Sequence, residues 1–210
     1  MLYTDRRNTM KEIMEKYSTT FFECVQEWPK NIRKDIYKLY AYLRVIDEMV
    51  EGDAGWNDFK KWRKIIEQFY EVCDRHNFEG QWLMDFHQAM LTDLKTKEHT
   101  TTTMIEYCKG SGESVGLMVS RILGCSPEGD EYARALGRAY QIINFVRDYD
   151  DDVSKGYHYI GEDKNFYIRM FINELTFAST GLQFIPKHLR GPIVEANKKY
   201  LQVADDNKGF

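Results

Sequence analysis

Apolar positions recur with helical period along almost the whole chain. Between residues 57 and 76, Phe59, Trp62, Ile65, Ile66, Phe69, Tyr70 and Cys73 fall on one side, the i, i+3, i+4, i+7 rhythm of a helix with one buried face. The same reading predicts helices over roughly 5–27, 32–51, 57–76, 80–95, from Thr101–Thr103 to about 123, 128–153, 163–180 and 187–204. Trp28-Pro29-Lys30-Asn31 breaks the first from the second, with Asn31 as its N-cap. Gly52-Asp53-Ala54-Gly55 and Gly124-Cys125-Ser126-Pro127 punctuate later boundaries, and Gly156 and Gly161 bracket a loop. Alternating runs of β-branched residues are absent. The expectation is an all-α fold, a single domain over residues 1–210 without repeats or a linker, long enough to bury a substantial core.

Two of these helices carry acid on otherwise apolar walls. Tyr37, Leu39, Tyr40, Ala41, Leu43, Val45 and Ile46 lead into Asp47-Glu48-Met49-Val50-Glu51. Ala135, Leu136, Ala139, Ile142, Ile143, Phe145 and Val146 lead into Asp148-Tyr149-Asp150-Asp151-Asp152. Helices that are apolar nearly all round are buried ones. In each cluster carboxylates stand at i and i+4, Asp47 with Glu51 and Asp148 with Asp152, one turn apart on one face. Like charges there repel unless something positive sits between them. An acidic run is most often a solvated face, but two such helices with matching acid spacing favour a lined cavity holding hard cations. Oxygen-only ligation shared with substrate phosphates is the preference of Mg²⁺. A basic residue, Arg44 or Arg147, precedes each cluster.

Composition narrows the field. The chain is 43% apolar and 14% aromatic, too rich for disorder. Its net charge of −4 gives no footing for a nucleic-acid partner. Cys24, Cys73, Cys108 and Cys125 show no CxxC spacing and read as free thiols of a reducing compartment. The five histidines form no HxxxH pair, which argues against zinc. The first residues lack the apolar core of a signal peptide, and the apolar stretch from Val115 to Leu123 is interrupted by Ser120 and Arg121 and too short to span a bilayer. The expected location is the cytoplasm, with peripheral contact to a membrane.

Four segments, in order, resemble the squalene/phytoene synthase family of head-to-head prenyl diphosphate synthases. Tyr17-Ser18-Thr19-Thr20-Phe21 is similar to the Ser-x-[Ser/Thr]-Phe segment, and Tyr37 to Asp47 to the YAxxRxxD helix. Tyr107 to Met118 resembles the YxxGxAxxVG helix. Leu136-Gly137-Arg138-Ala139-Tyr140-Gln141-Ile142-Ile143-Asn144-Phe145-Val146-Arg147-Asp148, continuing to Asp152, is similar to LGxAxQxxNxxRDxxxD, with Gly156 and Tyr159 following. The last is the most specific, and the resemblance covers nearly the whole chain, in order.

The resemblance implies an isoprenoid-synthase helical bundle around a central cavity and a Mg²⁺-dependent prenyltransferase. Mn²⁺ is an alternative metal, and NADPH enters only for a squalene synthase. By the same resemblance Asp47, Glu51, Asn144, Asp148 and Asp152 ligate metal, and Gln141 hydrogen-bonds diphosphate. Arg44 and Arg147 lie near the phosphates, where the planar fork of arginine suits the task. Ser18 and Thr20 offer hydroxyls to the second diphosphate, beside Phe21. Tyr40 and Tyr200 bond phosphate oxygens or shield the carbocation. Tyr107, Tyr159, Val115 and Gly116 line the substrate, and the small residues Gly110, Ser111, Gly112 and Gly116 either hollow a tunnel for a prenyl tail or allow close helix packing. Glu113 is expected to point away from that tunnel, and Asp150 and Asp151 to face solvent.

The chain departs from the family pattern at Glu51, where aspartate is usual, and at Gly161, where proline is common. The stretch between Asp47 and Tyr107 and the segment after Tyr159 are short, and the final basic segment of the family is not matched after Tyr200. The expected partners are prenyl diphosphates, with condensation of geranylgeranyl diphosphate to phytoene favoured. The alternatives are squalene or dehydrosqualene synthesis from farnesyl diphosphate, and a non-catalytic prenyl-lipid-binding or assembly member. A head-to-tail prenyltransferase or terpene cyclase is disfavoured, because their acidic motifs are richer (DDxxD).

Overall fold

The computed structural model describes residues 10–18, 20–51 and 59–209, with Glu51 and residues 59–61 described by backbone alone. Thr19, the Gly52-Asp53-Ala54-Gly55 break and the predicted helical residues 5–9 lie outside the described residues. Backbone contacts divide the chain into two compact units, Met1–Phe78 and Glu79–Phe210. Both are all-α.

The first unit contains α1 (Met10–Tyr17), α2 (Phe21–Val25), α3 (Lys30–Glu51) and α4 (Phe59–His76). The predicted first helix is thus two, α1 ending at Tyr17 and α2 beginning at Phe21. Asn31, predicted as an N-cap, is instead the second residue of α3. α1 buries Ile13 and Met14 and packs on α3. Val45 and Met49 of α3 meet Trp62, Ile65 and Ile66 of α4, while the rings of Tyr42 and Phe69 stack 3.7 Å apart. α4 stops because Asn77 takes a left-handed φ of 51°, which asparagine tolerates, and the Phe78 N–H returns to the Cys73 carbonyl at 3.0 Å.

The second unit contains α5 (Gly80–Asp93), α6 (Thr101–Cys108), α7 (Ser114–Ile122), α8 (Asp130–Ser154), α9 (Lys164–Thr180) and α10 (Arg190–Asp206). Thr100, not Thr101–Thr103 alone, caps α6: its hydroxyl accepts the Thr103 N–H at 3.2 Å and the Thr103 hydroxyl accepts the Thr100 N–H at 2.9 Å. The predicted continuous helix to Leu123 carries a π-helical turn at Lys109–Glu113 between α6 and α7. Such turns insert a residue into the ladder and often mark functional helices. α8 runs through the middle of this unit, packed by α7 and the π turn and most extensively by α9. Its Ala135, Ala139, Ile142, Ile143 and Val146 are fully enclosed. Among the described residues no helix is long and apolar enough to cross a membrane.

Glycine sets the distance between α8 and the π turn. A Cβ on Gly137 would fall 2.1 Å from the Gly112 carbonyl oxygen, and one on Gly112 would fall 2.7 Å from that of Gly137. No side chain larger than hydrogen fits without a shift of backbone.

Candidate functional site

On α8 the acidic cluster divides between two faces. Gln141, Asn144, Arg147, Asp148 and Asp152 are half-buried, whereas Asp150 and Asp151 are exposed, as expected from the 3.6-residue period. Lys155 meets Asp151 at 2.8 Å and Lys164 approaches Asp150 at 3.6 Å. The inner face carries Asn144, Asp148 and Asp152 in successive turns. The Asn144 Oδ1 atom is buried and has no hydrogen-bond partner, a costly state for an amide oxygen unless a ligand supplies the missing contact. Arg147 donates from Nε and Nη2 to the two oxygens of Asp148 at 2.7 and 2.6 Å.

Around this face stand aromatic residues. Phe145 stacks on Tyr159 with centroids 4.6 Å apart, and Tyr107 lies 5.4 Å from Tyr159. Tyr107 and Tyr159 donate their hydroxyls to the buried Asp93, at 2.7 and 3.0 Å. Asp93 was not among the residues expected from the sequence, where it is a lone acid near a polar helix end. Tyr200 is buried with its ring 4.1 Å from that of Tyr140, whose hydroxyl donates to Asn197 at 2.6 Å.

The small residues before α7 serve packing. A Cβ on Gly116 would meet the Ala133 carbonyl oxygen at 2.2 Å, so of the two readings, a tunnel or close packing, the space beside Gly116 is taken by α8 backbone. Val115 beside it is half-buried. Glu113, expected to point away, is buried and paired with Arg138, which also reaches Glu174 at 2.8 Å.

In the first unit, Arg44 organises the acids of α3. Its Nη1 donates to Asp47 Oδ2 at 2.7 Å and its Nη2 to Glu48 Oε1, while its guanidinium lies 4.5 Å from the Tyr17 ring. Glu48 is only 3% exposed, an enclosed acid that the sequence does not single out. Tyr40, Ser18, Thr20 and Phe21 are half-buried, and Phe21 packs edge-on against Trp28. The Glu51 side chain lies outside the described residues.

Among the described residues no three His, Cys, Asp or Glu side chains close around a point to hold a metal ion. The donors on the α8 face are nonetheless all oxygen, two carboxylates and the unpartnered Asn144 amide oxygen, a set that fits Mg²⁺ retaining waters and sharing ligands with phosphate.

A family model described as squalene/phytoene synthase matches residues 14–165. The phytoene synthase of Thermus thermophilus is 26% identical over 166 residues, covering 72% of this chain and 57% of that protein. The chloroplastic phytoene synthase 1 of Zea mays is 28% identical over 178 residues, covering 73% and 43%. The chain spans about half the length of the curated relatives it matches. A dehydrosqualene synthase crystallised with ligand superposes with a TM-score of 0.80 at 19% identity over 91% of this chain and 82% of that one, which shows the shared isoprenoid-synthase fold. With the matched segment taking in both acidic helices and the aromatic face of α8, the chain belongs to the squalene/phytoene synthase family.

Proposed function

We propose that this protein is a Mg²⁺-dependent prenyltransferase that joins two identical prenyl diphosphates head to head through a cyclopropyl diphosphate, with geranylgeranyl diphosphate as substrate and phytoene as product. The observation that carries the reading is the inner face of α8: an unpartnered buried amide oxygen at Asn144 followed, a turn apart, by Asp148 and Asp152. The phytoene synthases among its relatives support the choice of substrate.

In this reading Asp47, Glu51, Asn144, Asp148 and Asp152 hold Mg²⁺, or Mn²⁺ in its place. Bound metal stabilises the charge that develops on a departing diphosphate. Gln141 hydrogen-bonds diphosphate oxygens, and Arg44 and Arg147 exchange their carboxylate partners for phosphate, which offers the same bidentate geometry. Ser18 and Thr20 donate hydroxyls to the second diphosphate. The ring faces of Phe145, Tyr107 and Tyr159 exclude water and present π density to an allylic cation, and Tyr40 and Tyr200 bond phosphate oxygens or shield that cation. The product is a water-insoluble hydrocarbon, so the proposal includes peripheral contact of a cytoplasmic protein with a membrane.

Incubation with labelled geranylgeranyl and farnesyl diphosphates, with and without NADPH, tests this directly. Phytoene from the C20 substrate without NADPH supports it. Squalene or dehydrosqualene from the C15 substrate moves the chain length. Binding of a prenyl diphosphate analogue without product, unaffected by chelation of Mg²⁺, would make the protein a non-catalytic binder.

A further inference from the structure

Asp93 stands in the last turn of α5, 5% exposed, with its two oxygens given to different phenols: Oδ2 to Tyr107 and Oδ1 to Tyr159. A carboxylate is expensive to enclose unless its lone pairs are satisfied, so the two hydroxyls and the acid form one unit. That unit draws on α5, α6 and the segment after α8. Tyr159 reaches Asp93 because its segment is stitched to the one before α6. The His158 N–H donates to the Lys97 carbonyl at 2.7 Å and the His99 N–H to the His158 carbonyl at 2.9 Å. The Lys97 ammonium lies 3.4 Å from the Tyr157 ring centroid. On the α8 side Phe145, next to Asn144, stacks on Tyr159. Burial, then the charge of Asp93, holds the Tyr159 phenol protonated well above the usual range, and the charge of Asp152 pushes the same way. Through Phe145 the phenol pair packs against the turn of α8 that carries Asn144.

We infer that Asp93 is a positioning residue for the α8 site: by accepting both phenols it fixes Tyr107 and Tyr159 and, through Tyr159, the segment that follows Asp152. Asp93 acts through the phenols and not on substrate. A phenol whose proton is committed to Asp93 turns its oxygen lone pairs and ring in one fixed direction, and an electrostatic wall needs that preorganisation. The kinetic consequence rests on the prenyltransferase reading; the hydrogen-bonded unit does not.

The test is Asp93→Asn, which keeps size and removes the anion. The expected result is a fall in kcat of about 10²-fold, the scale of an ångström-sized misplacement, with KM nearly unchanged. Tyr159→Phe lowers kcat in the same direction, and Asp93→Asn with Tyr159→Phe is little slower than Asp93→Asn alone, because the bond from Tyr159 to the Asp93 anion is lost in both. Spectroscopic titration of tyrosinate needs no turnover: Asp93→Asn brings phenol ionisation to lower pH than in the wild type before circular dichroism changes. Wild-type kcat in Asp93→Asn, additive losses in the double variant, or an unchanged tyrosine titration each overturn the inference. Should Asp93→Asn fail to fold, Tyr107→Phe and Tyr159→Phe, which delete only a hydroxyl, carry both readouts, and undiminished kcat in both overturns it. If the wild type turns over no prenyl diphosphate, the functional proposal fails and the titration alone decides the role of Asp93.

Discussion

Arg147 grips the residue beside it, closing a two-bond fork on Asp148 at 2.7 and 2.6 Å. Asp152 follows one turn later, so the guanidinium offsets a repulsion built into the acid spacing. Arg44 divides its fork instead, giving one nitrogen to Asp47 at 2.7 Å and the other to Glu48. Each arginine is thereby held on an acid of its own motif, and in the proposed function a diphosphate takes it over and leaves that acid free for a cation.

Arg147→Gln is therefore expected to lower kcat/KM by about 10²-fold, the scale found for one lost charge-stabilising donor. Arg147→Lys recovers only part, because a point charge cannot reproduce the fork. Steady-state kinetics on the two variants checks this. Full recovery by lysine would mean that charge alone is sufficient.

Gly112→Ala and Gly137→Ala test the close approach of the π turn to α8. Each places a methyl into the opposing backbone, and the expected loss is about 1–3 kcal/mol in denaturant unfolding. Gly112→Ala also presses on the Gln141 Cβ, 3.0 Å from the added carbon, so its activity falls as well. Gly191→Ala, with nothing within 4 Å of the added carbon, serves as the control and leaves stability nearly unchanged.

Asp35 gives a pH signature in the first unit. It accepts Arg75 Nη1 at 2.6 Å and is 2.8 Å from His76 Nε2. Burial alone would raise its carboxyl, but Arg75 and His76 outweigh that and hold it below the ordinary range. A depressed carboxylate stabilises the fold above its unfolded value, about pH 4, and that stabilisation is lost as pH falls through the folded value. Asp35→Asn is expected to cost about 1–3 kcal/mol at neutral pH and to flatten the acid limb of a stability-versus-pH curve. An unchanged acid limb in the variant would contradict this origin.

The α8 face is readable from sequence because one periodicity governs everything on it. The run of apolar residues sets which side is enclosed, and the spacing of Gln141, Asn144, Arg147, Asp148 and Asp152 then puts them on the inner edge, away from Asp150 and Asp151. Asp93 is not readable that way, since its burial depends on phenols 14 and 66 positions distant. Glu48 sits among acids that look alike, and since Arg44 reaches both Asp47 and Glu48, only enclosure in the fold distinguishes it. Gly110, Gly112 and Gly116 are open to two readings, a tunnel or close packing, and what decides is the backbone of α5 against Gly110 and of α8 against Gly112 and Gly116. The π turn leaves no periodic signal of its own, because one inserted residue shifts the helical phase without breaking the apolar pattern.

Diphosphate release from a prenyl diphosphate, followed with Mg²⁺ and with a chelator, in the wild type and in Asp148→Ala, tests the role of the α8 acids most directly. The expected result is release by the wild type that depends on Mg²⁺, and its loss by about 10³-fold or more in the variant, which removes both a proposed metal ligand and the partner of Arg147. Release at wild-type levels in Asp148→Ala, or release indifferent to chelation, would contradict it.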